Sequence, residues 1–158
     1  MQYGEEKFFK RAAAVGIDGL ILPDLPLYEY EKFYRKMIAD AGLTVSFLIT
    51  PQTSAERIRK VDELTEGFIY MVSSAAITGG SGGISTEQIA YFERINAMKL
   101  CNPRLIGFGI SDKKSFDTAA GYASGAIIGS AFIRALGTGN DAAETAENFV
   151  RDIRGEQV

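Results

Sequence analysis

The sequence predicts an α/β fold built on a parallel sheet, and three observations lead there. Apolar runs of four to seven residues recur along the chain, amphipathic helical patterns lie between them, and small or polar residues gather after the end of each run. None of the runs alternates cleanly between apolar and polar residues, which marks strands buried on both faces, as parallel strands are.

The elements follow in order. Phe8, Ala12 and Val15 lie at helical spacing, and Gly16 stands where a left-handed residue closes a helix. "GLILP" (19–23) is the first strand. Tyr30, Tyr34, Met37, Ile38 and Ala41 form the next helical stripe, closed by Gly42. "TVSFLI" (44–49) is the second strand. "TSAE", Thr53 to Glu56, has the form of a capping box ahead of the Ile58, Val61 and Leu64 stripe. "GFIYMV" (67–72) is the third strand. A second capping box, "STEQ" from Ser85 to Gln88, opens a helix carrying Ile89, Phe92 and Ile95. "RLIGF" (104–108) and "GAIIG" (125–129) are the fourth and fifth strands, with Ser111 placed to cap the helix between them. "GSAFIRAL" reads as a short helix ending at Gly137, and a further helix covers about 141 to 153. The whole reads as one domain over 1–158, without a linker or low-complexity tract, in which a βα unit recurs about every 25 residues.

Composition narrows the function. The 158 residues are 46% hydrophobic with a formal charge of −3, and acids and bases are interspersed, so no basic stripe exists for nucleic acid. The start, "MQYGEEKFFKR", has neither a signal-peptide apolar core nor a membrane span nearby, which makes the cytoplasm the expected compartment. The lone cysteine, Cys101, has no internal partner for a disulfide. With no histidine in the chain, Cys101 has no imidazole base, and Ser-His-Asp triads and histidine metal sites are excluded. No metal site is expected.

The chemistry is expected in the loops after the strands: "LPDLP", "ITPQTS", "VSSAAITGGSGG", "GFGIS" and "IGSAF". Both βα barrels and doubly wound sheets place sites there, and the short extra helix after the fifth strand favours the barrel, where it builds a phosphate site with the last two loops. Backbone N–H groups at a helix start bind a phosphate without a cationic side chain, and glycine lets the backbone approach it. Gly107, Gly109, Gly129 and Ser130 are the candidate donors; glycines required only by tight turns are the other reading. "ITGGSGG" (77–83) reads either as a lid or as a plain connection, and no lysine follows it to make a P-loop. Tyr70, on a buried strand just before that loop, reads from composition as a core tyrosine with its hydroxyl satisfied. Asp24 is a carboxylate for catalysis or for capping. No strand carries a lysine, so a Schiff-base aldolase does not fit.

"DGLILPDLP", "FLITPQTSAERI", "GFIYMVSSAAITG", "GFGIS" and "GAIIGSAFIRAL", in this order and spacing, resemble the alpha subunit of tryptophan synthase through nearly the whole chain. The resemblance implies a (β/α)8 TIM barrel and a lyase that cleaves indole-3-glycerol phosphate to indole and glyceraldehyde 3-phosphate. It implies a partner too, a beta subunit that holds pyridoxal phosphate; the alpha chain itself takes no cofactor. By the same resemblance Gly79, Gly107, Phe108, Gly109, Gly129 and Ser130 surround the substrate phosphate. Thr78 is the lid threonine that bonds a catalytic aspartate, Tyr70 lines the pocket, and Asp24 and Pro26 face the beta subunit. Ser74 and Ala76 depart from the arginine and glycine that many members carry.

The five strands match the fourth to the eighth of the family pattern. The implied chain is a partial barrel without the first three βα units and without both acid-base carboxylates, hence inactive alone and prone to self-association along its open sheet. Another phosphate-binding barrel enzyme of small sugar phosphates, and a noncatalytic phosphate-binding module, are the alternatives.

Overall fold

A computed structural model describes residues 3–73, 84–107 and 109–156. Its elements are α1 (Glu5–Ala14), β1 (Gly19–Ile21), α2 (Leu27–Glu29), a π-helical turn (Tyr30–Tyr34), α3 (Arg35–Asp40), β2 (Thr44–Ser46), β3 (Leu48–Ile49), α4 (Ala55–Leu64), β4 (Ile69–Val72), α5 (Thr86–Ala97), β5 (Arg104–Gly107), α6 (Lys113–Ala120), β6 (Gly125–Ile127), α7 (Ser130–Thr138) and α8 (Ala142–Arg154). The five expected strands all form. The second is recorded as β2 and β3, because Thr44–Ser46 pairs with β1 while Leu48 and Ile49 pair with β4. Phe47 lies between the two pairings and accepts the Tyr70 N–H at 2.8 Å.

All strand pairs are parallel, and the order β1-β2 and β3-β4-β5-β6 follows the sequence without reversal. That order decides the architecture. Parallel crossovers are right-handed, so a progression that never turns back puts every connecting helix on the same face of the sheet. A doubly wound sheet reverses direction and has helices on both faces. The result is an arc of a βα barrel, with helices on the convex side.

Burial reports the same asymmetry. Val45, Phe47, Ile49, Ile69, Met71 and Ile106 point to the helices and are buried with Ile58, Val61, Leu64, Phe92 and Ile95. Alternate residues point to the concave side, where Leu48, Tyr70, Val72, Leu105 and Ile127 are only half-buried. The edge strand β1 leaves Ile21 42% exposed.

The helix ends match the sequence in part. Gly16 and Gly42 take φ of 86° and 76° after α1 and α3, and Ser85 with Gln88 forms the expected capping box of α5. Two caps fall one residue later than expected. Ser54, not Thr53, accepts the Arg57 N–H at the start of α4, because the Thr53 hydroxyl is taken by the Thr50 N–H at 2.9 Å. Asp112, not Ser111, caps α6 through the Ser115 N–H at 2.8 Å. Helix α7 runs past Gly137 to Thr138, with Gly139 as its C-cap.

Candidate functional site

The C-terminal ends of β4, β5 and β6 bring the site together. Val72 pairs with Gly107 and Gly107 with Ile127, so Ser73, Gly109 and Gly129 leave the sheet at one level. Gly107 is buried, and a β-carbon on it would run into the Tyr70 ring. Only glycine lets the Tyr70 phenol lie across β5 on the concave side. Burial raises the Tyr70 pKa above its ordinary value, so the phenol stays protonated through the neutral range.

Gly109 takes φ of 80°, a backbone conformation that residues with a side chain rarely adopt. Its absent β-carbon would stand 3.8 Å from the Ser73 hydroxyl. Ser73 is 1% exposed and donates its N–H to the Gly107 carbonyl at 3.1 Å. Sequence reasoning did not single out Ser73; its signal was a hydroxyl at the end of a buried apolar strand.

Across the site, α7 begins at Ser130 with Gly129 as N-cap. Helices α4, α5, α6 and α8 each receive a side-chain cap, from Ser54, Ser85, Asp112 and Asp141, whereas α7, like α1, α2 and α3, receives none. The first backbone N–H groups of a helix have no partner within it, so the exposed start of α7 offers donors and the positive end of the helix dipole. Gly107, Gly109, Gly129 and Ser130 thus converge at the ends of two paired strands. Thr78, Gly79 and Phe108, together with Ser74, Ala76 and the rest of the 77–83 loop, lie outside the described residues.

Asp24 and Pro26 are exposed in the β1–α2 loop, apart from this convergence of strand ends. Pro26 is the N-cap of α2, which removes the reading of Asp24 as a helix cap. Grooves of about 740 and 450 Å³ run along α1 and α3, lined by residues such as Lys10, Lys36 and Met37. No strand residue or strand-to-helix loop lines them, so they are not the site. Among the described residues no cluster of carboxylates and cysteine has the makings of a metal site. No helix of the described residues is long and apolar enough to cross a membrane.

Residues 1–156 match the family described as tryptophan synthase alpha chain. The chain belongs to the tryptophan synthase alpha chain family. It is 51% identical to the tryptophan synthase alpha chain of Flavobacterium johnsoniae over 154 residues, covering 98% of this chain and 60% of that protein. The alpha chain of Christiangramia forsetii is 51% identical over 157 residues, covering 98% of this chain and 59% of its own. The chain therefore spans about three fifths of these curated relatives. Among solved structures, the tryptophan synthase alpha subunit of Pyrococcus furiosus superposes with a TM-score of 0.83 at 28% identity, covering 98% of this chain and 62% of that one. A structure of the Pyrococcus furiosus tryptophan synthase α2β2 complex superposes with a TM-score of 0.81 at 29% identity, with the same coverage. Within the family the five strands seen here are the arc of a larger barrel.

Proposed function

We propose that this chain supplies the phosphate-holding side of an indole-3-glycerol phosphate lyase site. In this reading Gly79, Gly107, Phe108, Gly109, Gly129 and Ser130 surround the phosphate, and Tyr70 walls the indole-glycerol pocket. Thr78 acts from the loop after β4. The acid-base carboxylates lie outside these 158 residues, so the chain by itself holds the phosphate ester without cleaving it. Asp24 and Pro26 face a tryptophan synthase beta subunit, and the reaction belongs in the cytoplasm.

The observation that carries the reading is the uncapped start of α7 on the strand that pairs with β5, where a β-carbon on Gly129 would meet no described atom within 4 Å. A phosphate dianion there gains from the helix dipole and from fixed N–H groups that need no rearrangement.

Amide chemical shifts of the full chain, titrated with inorganic phosphate and then glyceraldehyde 3-phosphate, test this. Saturable shifts are expected at Gly109, Gly129 and Ser130. Ser130→Asp, which puts a competing carboxylate at the helix start, is expected to weaken binding about tenfold or more. Unmoved amides at these positions, or indole release by the purified chain alone, would overturn the reading.

A further inference from the structure

We propose that Arg94 is a positioning residue for the ligand-binding end of the sheet: it fixes the loop 50–53, which walls the far end of a phosphate ester held at β5, β6 and α7. The role rests on the phosphate reading above and adds to it a residue of the outer helix layer.

The loop is built from its own hydroxyls. After β3 the chain reads Thr50, Pro51, Gln52, Thr53, with no charged side chain. Thr53 Oγ1 accepts the Thr50 N–H at 2.9 Å, Thr50 Oγ1 accepts the Gln52 N–H at 3.3 Å, and the Thr50 carbonyl accepts the Thr53 N–H at 3.0 Å. The Pro51 and Thr53 carbonyls accept no backbone N–H among the described residues. Arg94 of α5 takes both, donating from Nη2 to Pro51 at 2.9 Å and from Nη1 to Thr53 at 3.2 Å. Its guanidinium lies over the Tyr91 ring, 5.5 Å from the centroid, and Tyr91 is only 4% exposed. The buried ring is thus a fixed platform that aims the fork. Bonding two carbonyls while stacked on a ring suits a planar guanidinium, whereas a lysine ammonium is a single point charge.

Spacing gives the loop its part in binding. Ile49 pairs with Met71 and Val72 with Gly107, so the chain from Thr50 leaves the sheet beside the strand end that carries Ser73. Neighbouring strands lie about 4.8 Å apart, which puts the end of β3 roughly 10 Å from β5 and 14 Å from β6. A phosphate held at Gly109 and Ser130 does not reach this loop. The uncharged far end of an aryl phosphate ester does, and indole-3-glycerol phosphate is such a molecule. The junction joins two consecutive units, β3–α4 and β4–α5, that both belong to this chain.

Amide spectra of the full chain, with inorganic phosphate and indole-3-glycerol phosphate as the two probes, test the role. In Arg94→Ala the dissociation constant of the indole ester is expected to rise about tenfold, the scale of a lost charge-assisted hydrogen bond, while that of inorganic phosphate is unchanged. Arg94→Lys keeps the charge without the fork and is expected to behave like Arg94→Ala. Hydrogen exchange without ligand reports on the loop itself. The Thr50, Gln52 and Thr53 amides are expected to exchange about tenfold faster in both variants, and the Ile106 amide at its original rate. Equal weakening of both probes would overturn the role, because a general loss of structure does not tell them apart. So would full recovery by Arg94→Lys, unchanged exchange in the loop, or an indole ester bound by the unmodified chain no more tightly than phosphate; each of these leaves the phosphate reading standing. Unmoved Gly109, Gly129 and Ser130 amides in the unmodified chain would instead overturn the phosphate reading, and the role with it.

Discussion

The two faces of the sheet are made of the same kinds of residue and live under different conditions. On the convex face Ile49, Ile69, Met71 and Ile106 are fully buried against α4 and α5. On the concave face their immediate neighbours Leu48, Tyr70, Val72 and Leu105 are half-open. Hydrophobicity is thus shared between the faces, but the folding free energy comes mainly from the one that helices cover. The concave face contributes the site instead: Tyr70 across Gly107, Ser73 behind Gly109, and the strand ends that lead to α7.

Substitutions on the two faces measure that difference. The largest effect is expected from Ile106→Ala, which opens a cavity in the sealed core and costs about 2–5 kcal/mol in urea unfolding. Next is Gly107→Ala, whose methyl collides with the Tyr70 ring; a loss of about 1–3 kcal/mol is expected. Adding Tyr70→Ala to that variant relieves the collision, so the two effects should be strongly non-additive. Simple additivity would show that the ring does not lie across β5.

Asp62 sets a third test at the N-terminal end of the sheet. Its carboxylate accepts the N–H groups of Cys101 and Asn102, both at 2.9 Å, and ties α4 to the approach of β5. Burial works to raise its pKa, but the hydrogen bonds from Asn102 and Cys101 outweigh it, so the carboxyl titrates below its ordinary range. The folded pKa lies below the unfolded one. The stabilisation is therefore fully present above about pH 4, the unfolded aspartate value, and is lost as the pH falls through the folded pKa. Asp62→Ala is expected to cost about 1–3 kcal/mol at neutral pH and to flatten the acid limb of the stability profile. An unchanged acid limb would remove Asp62 from this role.

The smallest effect is expected on the concave face. In dilute solution Leu105→Ala costs about 1 kcal/mol or less, because its side chain is already half in water.

Much of this was legible from residue order. Five apolar runs became five strands, since parallel strands bury both faces and need no alternation to declare themselves. The glycines at 16 and 42 declared their left-handed turns, and "STEQ" its capping box. The caps expected at Thr53 and Ser111 fall one residue later for a local reason: the Thr53 hydroxyl is engaged by the Thr50 N–H, which leaves Ser54 to cap α4, and the Asp112 carboxylate takes the Ser115 N–H. The π-helical turn at Tyr30–Tyr34 had no signal in the spacing, because an apolar stripe tolerates one extra residue per turn.

Residue order by itself determined a parallel α/β chain with its glycines and small residues at strand ends, and membership of a family whose motifs run through it. Which side of each strand faces the helices was decided only by tertiary structure. In "GFIYMV" every residue after the glycine is apolar or aromatic, so no pattern marks Tyr70 as concave and Met71 as convex; the helices that pack on one face make that choice. The unreversed strand order and the meeting of Gly107 with the start of α7 are tertiary facts too. Both depend on which strands pair, and pairing between residues far apart in sequence leaves no trace in any one local run.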